Sequence, residues 1–366
     1  MEGDKGYMRQ ALECAQKAKS IAPPNPCVGC VIVKENSILA SGWTDPPGGE
    51  HAELVALKKA RKEDLQGSTL YLTLEPCCHR GRTPPCIDAI VRSGIKRVVI
   101  GAIDPDPNIR GKGVERLRKA NLNVEVGILE KEIEWDLRAY FYHKKQSRSY
   151  TLLKAIQSVD GCVTIDNSSV TSILDDKGKK DSHLLRDQSQ AILIGAKTVL
   201  HDNPHLTVRH IPNNGSPPLR VVLDRRDTIP LNANVFKTDS VPTLCITSGQ
   251  KERNEVLLSQ GVDTLSWNKS GPIPCSFIQG ELAKRDVLQL LVEGGIMTIS
   301  HFLQERAFNE LVVYIGPKIL GKKGKRFSDG LMLSSLTESP FLQLTDIRQF
   351  DDSLRLTYHH TCPLSS

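Results

Sequence analysis

Aromatic side chains are scarce in this sequence, 5% of 366 residues, which leaves no ladder of rings on which nucleobases could stack. No block of Lys and Arg has the density of a nucleic-acid-binding arm, although the formal net charge is +6. Apolar runs are short, and none reaches the roughly eighteen residues of a membrane-spanning helix. The opening residues, Met1-Glu2-Gly3-Asp4-Lys5, lack the apolar centre of a signal peptide. There is no internal repeat, no low-complexity tract and no G-x-G-x-x-G fingerprint. These absences predict a cytoplasmic protein with neither nucleic acid nor membrane as partner. The mild positive excess suits a phosphorylated small substrate and a phosphorylated cofactor.

Cysteine is not lacking. Ten are present at irregular spacing, which is no disulfide framework in a reducing compartment. Cys77, Cys78 and Cys86 lie close together and point to metal chemistry. Cys14, Cys27, Cys30, Cys162, Cys245, Cys275 and Cys362 are expected as small buried hydrophobes. A balance of 39% hydrophobic and 25% charged residues is that of a folded chain, and its length predicts two domains.

Periodicity predicts a helix over 5–19 with Asp4 as N-cap, then strands over 28–33 and 38–40. A helix from His51 to about Arg61, a strand over 69–74 and a helix with Cys86 in its first turn follow. Strands at 98–101 and 124–126 flank a helix at 114–120, and one helix over 129–145 closes the α/β series. The polar stretch 144–149 has linker composition, dividing the chain into domains 1–147 and 148–366. Beyond it, strands are expected at 150–154, 191–194, 220–223, 243–246, 288–292 and 311–314. An antiparallel pair at 341–344 and 354–358 ends the series.

The chemistry concentrates in His51-Ala52-Glu53, Pro76-Cys77 and Pro85-Cys86. A catalytic zinc takes three protein ligands and keeps a fourth position open, which His51, Cys77 and Cys86 supply. Thiolates in the first turn of a helix are favoured in their ionised form. Glu53, two residues beyond His51, is placed to carry a proton from water to a leaving amine, as in zinc-dependent nucleobase deaminases. A closed structural site with Cys78 or His79 as fourth ligand, or a Cys77–Cys86 disulfide, are the competing readings.

Eight residues separate Cys77 from Cys86, where nucleobase deaminases have two. The run Leu74-Glu75-Pro76-Cys77-Cys78-His79-Arg80-Gly81-Arg82-Thr83-Pro84-Pro85-Cys86 resembles the zinc segment of the bifunctional riboflavin-biosynthesis deaminase/reductase family. Asn25-Pro26-Cys27-Val28-Gly29 and Asp104-Pro105-Asp106-Pro107-Asn108 resemble that family's two substrate loops. The resemblance implies deaminase-substrate contacts from Asn25, His79 and Arg82.

In the second half, Val292-Glu293-Gly294-Gly295 leads from strand to helix, and Ile194-Gly195-Ala196-Lys197-Thr198 from strand to loop. Each is equally a phosphate approach or a tight turn. The resemblance extends through Lys154, Ser158, Asp160-Gly161, the run from Thr198 to Pro204, Leu206-Thr207-Val208-Arg209 and Glu293-Gly294-Gly295. It implies Zn2+ and NADPH as cofactors, and reduction of a ribosyl side chain to ribityl. The implied fold is α/β: an N-terminal cytidine-deaminase-like three-layer α/β/α domain before a C-terminal dihydrofolate-reductase-like α/β domain.

By position, Lys154, Arg186, Asp202, Leu206, Arg209 and Glu293 would hold the reductase substrate. Ile156, Ser172, Thr198, Asp202, Gly294 and Gly295 would face the cofactor. The family's Trp-Ile-Thr-Ser is here Ser172-Ile173-Leu174-Asp175, which loses an aromatic wall and sets a negative charge near the phosphates. A homo-oligomer is expected. A deaminase with a scaffold-only second half, a nucleic-acid-editing deaminase and a zinc-stabilised binding protein are the alternatives.

Overall fold

The computed structural model describes residues 2–61, 65–78, 85–165, 172–212, 215–239 and 241–360. Contacts divide the chain into two compact units, Met1–Ser147 and Arg148–Ser366. No helix among the described residues is long and apolar enough to cross a membrane.

The first unit contains α1 (Glu2–Gln16), β1 (Gly29–Lys34), β2 (Ser37–Trp43), α2 (Ala52–Lys59), β3 (Thr69–Leu74) and α3 (Cys86–Arg92). It continues through β4 (Arg97–Ala102), α4 (Lys112–Lys119), β5 (Asn123–Val126), α5 (Glu130–Asp136) and α6 (Arg138–Gln146). The sheet order is β2-β1-β3-β4-β5. β1 runs antiparallel to both neighbours, whereas β3, β4 and β5 are parallel.

Alternation along the strands explains the three layers. Cys30, Ile32, Leu70, Leu72, Val98 and Ile100 pack with Ala52 and Ala56 of α2, Ile87 and Ile90 of α3 and Leu117 of α4. The opposite face receives α1 and α5. A Cβ at Gly29 would lie 1.8 Å from the Ala11 carbonyl oxygen of α1, so only glycine permits that approach.

Two expectations change here. α1 starts at Glu2, so Asp4 lies inside its first turn rather than at the N-cap position, and its carboxylate takes Arg97 and the Tyr71 hydroxyl. The single helix over 129–145 is two, meeting at Leu137, which is buried between them. The apolar spacing continues across Leu137 without Gly or Pro, so the sequence carries no sign of the break.

The second unit begins with β6 (Tyr150–Ser158), β7 (Thr164–Ile165), α7 (Asp176–Asp187), β8 (Ala191–Gly195), α8 (Ala196–Asp202) and β9 (Leu219–Asp224). Next come β10 (Thr243–Thr247), α9 (Lys251–Ser259), β11 (Asp263–Ser266), α10 (Cys275–Ala283), β12 (Gln289–Gly294) and α11 (Ile296–Gln304). β13 (Glu310–Gly316), β14 (Gly324–Lys325), β15 (Leu342–Gln349) and β16 (Leu354–His360) complete it. Its large sheet has nine strands in the order β11-β10-β9-β8-β12-β6-β13-β16-β15. All pairings are parallel up to β13, and the closing hairpin is antiparallel.

The parallel strands are apolar on both faces because both are covered. Leu193 and Val221 join one core cluster, while their neighbours Ile192, Ile194 and Val222 join another with Phe236 and Leu257.

Candidate active sites

The C-terminal end of β3 meets the N-terminal ends of α2 and α3. His51 immediately precedes α2 in extended conformation, and Glu53 sits in that helix's first turn. Cys86 opens α3, and Cys77 lies three residues past β3. Two helix N-termini therefore converge where negative charge is favoured. His51 Nδ1 lies 3.6 Å from Cys77 Sγ and 3.1 Å from Cys86 Sγ, and the Cys86 N–H donates to Cys77 Sγ at 3.4 Å. The ligand atoms of His51, Cys77 and Cys86 all lie within 4.8 Å of one another. Zinc bonds of about 2.0–2.3 Å place tetrahedral donors about 3.5 Å apart, so this donor set fits zinc.

Cys78 is not part of the group; its thiol points to the Asn108 carbonyl at 3.9 Å. The nine described cysteines are free, which removes the Cys77–Cys86 disulfide. A hydrogen bond from Cys86 draws the Cys77 thiol well below the ordinary thiol range, and the same contact pushes Cys86 up. Glu53 is 3% exposed, and burial raises its carboxyl above the usual range. An acid that is easily reprotonated can return a proton as well as take one.

Asn25 lies in the loop ahead of β1, its N–H donating to the Ala22 carbonyl at 2.9 Å. His79 and Arg82 lie outside the described residues. A residue quoted above without a role, Glu75, proves to be an anchor. Its Oε2 accepts the N–H groups of Asp104 (3.2 Å) and Gly111 (2.9 Å). Oε1 accepts those of Gly113 (2.8 Å) and Val114 (3.1 Å). Glu75 thus ties the loop 104–111 and the start of α4 to the segment bearing Cys77. An acidic residue between a strand and a proline was the available cue.

In the second unit, Lys154, Arg186 and Glu293 come together. Arg186 grips Glu293 with Nε (2.6 Å) and Nη2 (2.5 Å), and Lys154 Nζ lies 2.9 Å from Glu293 Oε1. Burial raises and the two cations more strongly lower the Glu293 carboxyl, which is held well below the carboxylate range.

Neighbouring parallel strands β8 and β12 both end in glycine-bearing turns. Gly295 has φ +79°, and a Cβ there would stand 3.0 Å from Thr198 Oγ1; at Gly294 the nearest Thr198 atom would be 3.7 Å away. A cradle of this kind at the carboxyl edge of a parallel sheet fits a phosphorylated cofactor.

The Asp202 carboxylate lies against His201 Nδ1 at 2.6 Å. Leu206 is buried with φ +51°. The Arg209 guanidinium is exposed, reaching Thr207 Oγ1 at 3.3 Å. Ile156 lies on β6 opposite Tyr314, and the exposed Ser172 bonds the Leu174 carbonyl.

Asp175 has a structural role beside the one expected. Its carboxylate caps α7 by accepting the Gly178 N–H at 2.7 Å and also takes the Asp352 N–H at 3.0 Å. The extra negative charge is thus committed to backbone donors.

A second candidate metal group, Cys275, His301 and Glu305, is an internal brace. Glu305 accepts the Cys275 N–H at 2.8 Å, and His301 Nε2 faces the Ile273 carbonyl at 2.9 Å.

Residues 1–102 match the family described as cytidine and deoxycytidylate deaminase zinc-binding region, and residues 149–356 match the RibD C-terminal domain. The chain is 42% identical over 341 residues to riboflavin biosynthesis protein RibD of Aquifex aeolicus, covering 92% of this chain and 93% of that one. It is 38% identical to RibD of Chlamydia trachomatis, covering 96% of this chain and 94% of that protein. The solved structure of Acinetobacter baumannii RibD superposes with TM-score 0.89 at 32% identity over 99% of both chains. A Thermotoga maritima diaminohydroxyphosphoribosylaminopyrimidine deaminase/5-amino-6-(5-phosphoribosylamino)uracil reductase superposes with TM-score 0.87 at 33% identity over 98% of this chain and 99% of that one.

Proposed function

The chain belongs to the RibD family, the bifunctional deaminase/reductases of riboflavin biosynthesis, and from that membership we propose the part each site residue plays. The first unit removes ammonia from the diaminopyrimidine ribotide. The second reduces the ribosyl side chain of the resulting uracil with NADPH. The observation that carries this assignment is the convergence of His51, Cys77 and Cys86 beside the buried carboxylate of Glu53.

His51, Cys77 and Cys86 hold the zinc ion. Zinc bound there acts as a Lewis acid that brings the pKa of water to about 7. Glu53 takes a proton from the attacking water and delivers it to the departing amine, its raised affinity for protons suiting both steps. Glu75 fixes the loop 104–111 that, with Asn25, His79 and Arg82, borders the pyrimidine.

In the second unit NADPH supplies a hydride. Thr198, Gly294 and Gly295 form its phosphate cradle, with Ile156, Ser172 and Asp202 as further cofactor-facing positions. Lys154, Arg186, Asp202, Leu206, Arg209 and Glu293 surround the phosphorylated ribose. Paired bases suit its phosphate, and carboxylates suit its hydroxyls. The intact Lys154–Glu293–Arg186 cluster, with Asp175 turned to helix capping, supports an active reductase over a scaffold.

A cytoplasmic homo-oligomer completes the proposal. β15 is an edge strand, and Leu344, Ile347 and Leu354 leave an exposed apolar stripe on the β15–β16 hairpin that a second copy would cover.

Mass spectrometry of products tests both activities. Incubation with the diaminopyrimidine ribotide should raise substrate mass by about one unit, and NADPH should add about two more. A product that stops at the first step with NADPH present would remove the reductase assignment.

A further inference from the structure

His183 and Arg186 stand three residues apart on α7, so they share a face. Both bond the backbone of segment 207–209. Arg186 Nη1 donates to the Thr207 carbonyl at 3.0 Å, and the Arg209 N–H donates to His183 Nδ1 at 2.9 Å. The segment needs such holding. Asn203, Leu206 and His210 have φ of +39°, +51° and +68°, a left-handed region that side chains with a Cβ occupy at a cost.

The bond defines the state of the ring. A backbone N–H can only donate, so Nδ1 carries no proton and His183 is neutral with its hydrogen on Nε2. Burial favours the same state and pulls the imidazole down to about 3. The His210 ring packs edge-on at 4.8 Å, closing the other side.

We propose that His183 is a positioning residue of the reductase: by accepting the Arg209 N–H it sets the segment that carries Arg209 to the substrate phosphate. This rests on the reading of Arg209 as a phosphate contact. Loss of the acceptor frees Arg209 but leaves the Lys154–Glu293–Arg186 cluster and the Thr198–Gly295 cradle as they are. Substrate binding therefore suffers, and NADPH binding does not.

Steady-state kinetics of the full-length chain with 5-amino-6-(5-phosphoribosylamino)uracil, followed by NADPH oxidation, provide the test. His183→Ala should raise KM for this substrate about 10- to 100-fold, with kcat and the KM for NADPH within about twofold. His183→Asn offers Oδ1 to the same N–H and should bring KM back to within about threefold of the parent. His183→Leu fills the space without an acceptor and should not.

Arg209→Ala should raise KM comparably, and adding His183→Ala to it should change little more. An unchanged KM in Arg209→Ala overturns the phosphate-contact reading and the proposal with it. A raised KM there, with normal values in His183→Ala and His183→Leu, overturns the positioning role alone. If His183→Ala does not fold, the Asn and Leu variants decide, since equal KM values in those two exclude the role.

Discussion

Lys154 Nζ lies 2.9 Å from Glu293 Oε1 across two neighbouring parallel strands, β6 and β12, and the two side chains are only 4% and 5% exposed. Arg186 holds the other oxygen of the same carboxylate. One buried anion therefore keeps a buried lysine and a part-buried arginine together, and its removal leaves the two cations facing each other. Glu293→Gln should cost about 3–5 kcal/mol in unfolding free energy, measured by urea denaturation, and should abolish NADPH-dependent reduction. A loss under about 1 kcal/mol would mean that the cluster is wetter than its geometry indicates.

At the zinc site, Glu53→Gln keeps the shape of the side chain but removes the proton carrier. Zinc content should remain at the parental level while ammonia release falls about 100- to 10,000-fold, read by a coupled ammonia assay. Parental turnover in this variant would end the proton-carrier role.

Zinc stoichiometry separates the two candidate metal groups. Elemental analysis should find one zinc per chain, lost in Cys77→Ser and retained in Cys275→Ser. The reason is that Glu305 and His301 already bond the backbone at Cys275 and Ile273. Chelation should stop deamination in the parent.

Glu75→Gln exchanges one carboxylate oxygen for an amide that can only donate. Two of the four backbone N–H groups would then face a donor, at a cost of about 1–3 kcal/mol for each unsatisfied group. Thermal unfolding should show the loss. Deamination should weaken because the loop 104–111 is no longer tied beside Cys77.

Two aspartates of the first unit predict opposite pH dependences. Arg97 holds Asp4 at about 2, below its ordinary 3.8, so the contribution is present above about 3.8 and is lost as pH falls through 2. Burial raises Asp104 to about 6 beside the Tyr140 hydroxyl. The folded state then binds a proton that the unfolded state has released, so this contribution is full below 3.8 and is lost as pH rises through 6. Asp104→Asn should flatten stability between those values, and Asp4→Asn should flatten it below 3.8, both measured by denaturation against pH.

Strands and ligand types were legible in the sequence because they rest on local rules. The short apolar runs of β1 and β3 and the placement of His51 and Cys86 at helix starts need no knowledge of distant partners. His51, Cys77 and Cys86 could be grouped because thiolate and imidazole chemistry narrows what a loop between helices can do. Other features depend on groups far apart in the chain, and only the tertiary structure decided them. Asp4 reads as a cap until Arg97, 93 residues away, takes its carboxylate. Asp175 also proves to cap α7 and to take the Asp352 N–H, a partner 177 residues away. Glu75 sits in the zinc segment without a readable role, and His183 stands in no motif. Their roles arise because a buried acceptor must meet a donor, and which backbone supplies that donor is set by how the layers pack.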